Sequence, residues 1–163
     1  DMCQLTERQT EYKYKSSYEQ IAKVIAKYSY VPLLDLTDFY EQVFFSWLVG
    51  NNDMHLKNFS LYAPKGKWGL TPAYDLLNVT LVKPKDDEEI ALTLNARNKH
   101  IKKADFVKAM ETSGITPKVF ENMVSKYQKL LPKFNEVIDM SFLDDEDKEI
   151  YKQSIASRLA RII

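Results

Sequence analysis

Gly50-Asn51-Asn52-Asp53-Met54-His55-Leu56-Lys57-Asn58, with Tyr74-Asp75 further on, is the stretch on which the reading of this chain turns. It marks a change of period. Ahead of it Phe39, Val43, Phe44, Trp47 and Leu48 recur at helical spacing, from a start near Thr37 with Asp38 and Glu41 in the first turn to a stop at Gly50. Behind it Phe59 and Leu61 alternate with Ser60 and Tyr62, and Pro64-Lys65-Gly66-Lys67 supplies turn chemistry before Trp68 and Leu70. The pattern predicts a buried helix, a polar loop, and a β-hairpin with strands near 59–63 and 68–71. Pro72 lacks a ladder donor and should close the second strand.

Outward from this centre the chain is mostly helical. Residues 1–16 are polar and aperiodic and read as an irregular lead-in. Tyr18, Ile21, Ala22, Ile25 and Tyr28 define a helix capped by Ser16 or Ser17 and ended by Pro32. After Asp75, residues 83–89 read as an exposed charged loop, and a short strand is expected over 90–94 with a turn at 95–98. Helices follow over 104–113, stopped by Gly114, from Thr116-Pro117 onward, and over about 143–161. No repeat or flexible linker divides the chain. The expected class is mainly α (α+β), one domain over residues 1–163 carrying a small hairpin.

With 163 residues and 45% apolar content the chain can bury a core. Its 23 basic and 23 acidic residues cancel, which argues against direct nucleic-acid binding. Cys3 is the single cysteine, and His55 and His100 are the only histidines, so neither a disulfide framework nor a zinc cluster is expected. The longest apolar stretch, Val43 to Val49, is too short to span a bilayer. A cytoplasmic location is the plain expectation. Asp1 is not a natural start residue, which suggests a piece of a larger parent.

Asp53, Asn58 and Asp75 are the residue types that phosphoryl transfer from ATP requires. A carboxylate must orient the attacking hydroxyl and accept its proton, and oxygen ligands must hold Mg2+ against the phosphates. Asp53 and Asn58 are separated by four residues, the D-x-x-x-x-N spacing of kinase catalytic loops. A hairpin between Asn58 and Asp75 would return Asp75 to face Asn58. Spacing alone is weak, because Asp and Asn also serve as ordinary loop and cap residues.

The combined pattern is more specific. Gly50-Asn51-x-Asp53-x-His55-x-Lys57-Asn58-Phe59-Ser60 with Leu70-Thr71-Pro72-x-Tyr74-Asp75-Leu76 resembles the C-terminal lobe of HipA-like serine/threonine kinases, toxins of bacterial toxin–antitoxin pairs associated with persistence. Phe44, Trp47-Leu48-Val49, Leu92-Thr93-Leu94-Asn95-Ala96-Arg97-Asn98 and the opening Asp1-Met2-Cys3-Gln4-Leu5 fit the same order. The resemblance implies a helical kinase lobe with Asp53 as catalytic aspartate and Asn58 and Asp75 as magnesium ligands. It also implies ATP as phosphate donor, a protein acceptor such as an aminoacyl-tRNA synthetase, and a helix-turn-helix antitoxin.

Around these residues, His55 is a candidate catalytic-loop residue, read more as a brace by hydrogen bonding than as a proton carrier. Lys57 either neutralises a γ-phosphate or pairs with Asp53, with an exposed lysine as the equal alternative. Tyr74 belongs either to the nucleotide pocket or to core packing. Trp47 and Phe59 are assigned to the core, His100 to the surface, and the charge runs 85–89 and 144–149 to solvated faces.

The four glycines form no G-x-G-x-x-G or Walker-type run. The expectation is therefore that an N-terminal nucleotide-binding lobe lies outside this chain, and that the chain alone transfers little phosphate. Two other readings stand beside this one: a non-catalytic interaction lobe of a split or degenerate kinase, and, more weakly, a metal-dependent hydrolase.

Overall fold

The computed structural model describes residues 1–81 and 87–163. Its centre is α3 (Pro32–Leu48), whose Leu36, Phe39, Tyr40, Val43, Phe44, Trp47 and Leu48 are all buried. Around it lie α1 (Met2–Leu5), α2 (Tyr18–Tyr28), α4 (Lys103–Thr112), α5 (Pro117–Asp139) and α6 (Asp145–Ile162). The hairpin strands β1 (Leu61–Tyr62) and β2 (Gly69–Leu70) form one small antiparallel sheet, with Leu61 opposite Leu70 and Tyr62 opposite Gly69.

Aromatic rings make the core. Phe44 meets Phe106 of α4, and Phe120 and Tyr127 of α5, edge-on at 5.2 to 5.4 Å between centroids. Such T-shaped pairs put a ring's positive edge on its neighbour's negative face. At the other end of α3, Phe39 packs against Phe59 at 5.1 Å, and Tyr18 of α2 reaches the same ring. Trp47 and Phe59 are core residues, as their apolar positions predict.

α3 begins one turn before the expected Thr37. Pro32, read from sequence as the end of α2, is also the first residue of α3, where its missing N–H costs nothing. Asp35 in that first turn is buried. It accepts the Leu70 N–H at 2.9 Å and the Ser29 hydroxyl at 2.6 Å, so one carboxylate joins the α2–α3 turn to the hairpin.

The lead-in is also more ordered than its polarity implied. Asp1 and Gln4 form a capping box on α1, and Met2 and Cys3 are buried. The expected strand over 90–94 is a correction too. Ile90, Leu92 and Leu94 are buried, but among the described residues no neighbouring strand offers them a ladder. Thr93 instead bridges Ser17 and accepts the Tyr18 N–H at 3.0 Å, at the start of α2. The hairpin strands are shorter than 59–63 and 68–71, because Pro64–Gly66 coils into a 3-10 turn with Lys65 at φ 59°.

Ser17 caps α2, Gly114 follows the end of α4, and Asp144 caps α6 through the Asp147 N–H. The charge run 144–149 thus sits at a helix start. The run 85–89 is different: residues 82–86 lie outside the described residues, and Glu89 is not a solvated acid. Its carboxylate takes both guanidinium nitrogens of Arg161 at 2.9 Å and the Trp47 indole N–H at 2.9 Å. The Arg158 guanidinium donates to the Trp47 carbonyl, so α6 closes over the end of α3. Among the described residues, no helix is long and apolar enough to cross a membrane.

Candidate functional site

α3 ends at Leu48 with Val49 as its cap, and Gly50 takes φ 80°, turning the chain out of the helix into the Asn51–Asn58 loop. The Gly50 carbonyl accepts the N–H groups of Val79 and Thr80, at 3.0 and 3.3 Å. The segment beyond Asp75 is therefore folded back onto the loop's first residue. A 3-10 turn over Leu56–Asn58 finishes the loop and delivers Phe59 to the core.

Of the expected residues the structure brings two, Asn58 and Asp75, into direct contact, with Asp53 on the same loop as Asn58. Asn58 and Asp75 touch, with the Asn58 Nδ2 donating to Asp75 Oδ2 at 2.5 Å. Shared ligation of magnesium would put two oxygens within roughly 4 Å of each other; here the Asn58 amide nitrogen faces Asp75 Oδ2, so the contact brings the two side chains together through nitrogen. The Asn58 Oδ1 accepts the His55 N–H at 3.2 Å, which fixes the amide plane. Asp75 holds φ 57°, an uncommon left-handed conformation for a non-glycine residue.

Asn51 explains how that conformation is held. This side chain is 1% exposed. Its Nδ2 donates to the Asp75 carbonyl at 3.2 Å, and its Oδ1 accepts the Asp53 N–H at 3.2 Å. One amide thus spaces the two aspartates. In the sequence Asn51 is one more loop asparagine, and its burial was the missing signal.

Tyr14 was missed as well. Its hydroxyl donates to Asp53 Oδ1 at 2.6 Å, and its ring stands edge-on to His55 at 5.0 Å. Burial, then the hydrogen bond and the negative charge of Asp53, push the phenol up to about 12, so it remains a donor at neutral pH. The lead-in and the start of α2 touch the loop region at several points: Met2 donates to the Phe59 carbonyl, Leu56 to the Lys13 carbonyl, and the Tyr18 hydroxyl to the Met54 carbonyl.

His55 is buried, and its Nδ1 has no hydrogen-bond partner among the described residues. Burial, reinforced by the nearby Lys13, lowers its pKa from the ordinary histidine value. Its bracing bond comes from the backbone N–H to Asn58 rather than from the ring.

Lys57 corrects one alternative. It is exposed, and among the described residues it forms no ion pair with Asp53. Tyr74 corrects another, since it is not core. Half-exposed at the surface, its hydroxyl donates to the Lys57 carbonyl and bonds Ser60 Oγ, both at 2.7 Å, clamping the hairpin exit onto the loop. His100 lies on the surface as expected.

These elements define a class: a helical lobe whose central helix feeds a D-x-x-x-x-N loop, followed by a hairpin that returns a second aspartate beside the asparagine. The HipA-like C-terminal domain model matches residues 1–134, and the chain belongs to that family.

Relatives agree with this. A Haemophilus influenzae protein named "Putative kinase" is 27% identical over 167 residues, covering 88% of this chain and 47% of that protein. A Sinorhizobium fredii protein named "Putative kinase Y4dM" is 41% identical over 70 residues, 42% of this chain and 17% of its own length. A chain from the Shewanella oneidensis MR-1 structure described as the toxin–antitoxin system HipA, HipB and its operator DNA complex superposes with a TM-score of 0.71. At 19% identity over 90% of this chain and 35% of that one, it establishes the shared fold. The chain thus spans about half the length of the Haemophilus relative.

Proposed function

We propose that this chain is the catalytic lobe of a HipA-family serine/threonine protein kinase that transfers the γ-phosphate of Mg-ATP. The observation that carries the reading is the Asn58–Asp75 contact at 2.5 Å, built by the loop that also presents Asp53. The donor set suits magnesium: one carboxylate and one amide oxygen leave positions for water and phosphate. When bound, the ion would neutralise charge developing on the transferred phosphoryl group. Asp53 orients the acceptor hydroxyl and takes its proton through the oxygen that Tyr14 leaves free. Lys57, exposed on the loop and without an ion pair among the described residues, is available to phosphate.

By analogy with the family and with the HipA–HipB complex, the partners are a separate nucleotide-binding lobe and a helix-turn-helix antitoxin. The acceptor is a protein serine or threonine, with aminoacyl-tRNA synthetases as the first class to try. The test is made in the full-length protein, with labelled ATP and phosphoamino-acid analysis. Asp53→Ala and Asp75→Ala are each expected to abolish transfer and to relieve growth arrest on expression. Retained transfer in either would refute the assignment, and phosphate release without any acceptor would point to a hydrolase instead.

A further inference from the structure

Tyr14 lies outside the loop motif, yet it makes a short contact with the residue at the centre of the proposed chemistry. An O–H to carboxylate distance of 2.6 Å is that of a charge-assisted hydrogen bond. We propose that Tyr14 is a positioning residue for phosphoryl transfer, fixing the Asp53 carboxylate so that Oδ2 faces the acceptor hydroxyl. This rests on the reading of Asp53 as the residue that receives the acceptor's proton.

Three observations support positioning over two other roles, a lid and a blocking group. First, the segment carrying Tyr14 is pinned on both sides. The Lys13 carbonyl accepts the Leu56 N–H at 3.2 Å, and the Tyr18 hydroxyl donates to the Met54 carbonyl at 3.0 Å. A strap that is to open would not be tied to the loop it covers. Second, the Asp53 backbone is held separately, by Asn51 on its N–H and by the His55 N–H on its carbonyl at 2.9 Å. That leaves rotation of the carboxylate as the remaining freedom, and among the described residues Tyr14 is the side chain that hydrogen-bonds it. Third, the hydroxyl engages one carboxylate oxygen, so the other remains for substrate. The phenol's proton is firmly held, which suits a permanent donor and excludes the tyrosine as a base.

An aspartate free to rotate spends part of its time turned away from the acceptor. Misplacement of a catalytic group lowers the rate of the bound complex without weakening nucleotide binding. For Tyr14→Phe in the full-length protein, kcat should fall about tenfold, the scale of one lost hydrogen bond to a charged group. The KM for Mg-ATP should be unchanged, and the melting temperature should stay within about 2 °C, because the hydroxyl is not part of the core.

A double-mutant cycle with Asp53→Asn separates the two readings. If Tyr14 acts through Asp53, Tyr14→Phe adds nothing to the residual rate of Asp53→Asn. An unchanged kcat in Tyr14→Phe, with transfer abolished by Asp53→Asn, overturns the positioning role and leaves the site intact. A rise in kcat overturns it too, since the hydroxyl would then be competing with the acceptor. Full transfer in Asp53→Asn removes the reading on which both rest.

Discussion

Replacing Asn51 by alanine should damage the site and the fold together. The amide bridges two backbone groups, the Asp75 carbonyl and the Asp53 N–H, each at 3.2 Å, from a position 1% exposed to solvent. A typical internal hydrogen bond contributes about 1 kcal/mol net, while a buried group left without a partner costs about 1–3 kcal/mol. Two such bonds and partial access of water to the loop give a loss of about 2–4 kcal/mol. For a domain of this size each kcal/mol shifts the melting temperature by about 2–4 °C, so the expected drop is about 5–15 °C by calorimetry. The loss should be local in origin. Amide resonances of residues 51–58 and 74–80 should move while those of α5 and α6 stay in place. Asn51→Asp is the informative control, because it keeps the acceptor for the Asp53 N–H and removes the donor to Asp75. Its changes should concentrate around Asp75. A melting temperature within 1 °C of wild type for Asn51→Ala, or shifts confined to residues 50–52, would refute the bridge.

Gly50→Ala should cost about 2–3 kcal/mol, since a left-handed conformation penalises any side chain by about 1–2 kcal/mol and the new Cβ would lie 2.5 Å from Thr80 Oγ1; urea unfolding measures it, and a loss below 0.5 kcal/mol would be inconsistent with the packing. Phe44→Ala, which removes a fully buried ring touching α4 and α5, should lose about 3–5 kcal/mol by the same assay. Glu89 carries a pH signature: burial pushes its carboxyl up, but the Arg161 and Trp47 hydrogen bonds outweigh this and hold it below the ordinary glutamate value. Its contribution is therefore full above pH 4.5 and fades as pH falls through the lower folded value. The stability gap between wild type and Glu89→Gln should shrink on acidification below that point, and a gap that widens would reverse the assignment.

Local pattern carried much of this molecule. The helical spacing of Phe39, Val43, Phe44, Trp47 and Leu48 identified the central helix, because burial of one stripe is written directly into a 3.6-residue period. Turn chemistry at Pro64–Gly66 located the hairpin, and the motif from Gly50 to Asp75 singled out the residues that meet. Position along the chain could not reveal what reached them from afar. Asp35 lies just ahead of the helix start expected near Thr37, yet its carboxylate binds a hairpin amide. Glu89 lay in a charge run, and α6 turned it into the anchor of Trp47 and Arg161. Residues 1–16 had no period to read, because beyond the single turn of α1 they are held by backbone bonds such as Met2 to Phe59 and Leu56 to Lys13, made to a segment distant in the chain.

The sequence by itself determined the order of elements, the buried face of α3 and the three polar residues at its exit. Each depends on neighbours within a few turns or on residue chemistry. Only the tertiary structure decided which groups hold those residues: Asn51 between the two aspartates, Tyr74 across the hairpin exit, and Tyr14 on Asp53. A hydrogen bond is set by distance and direction in space, and the folding of distant segments onto one loop is what supplied both.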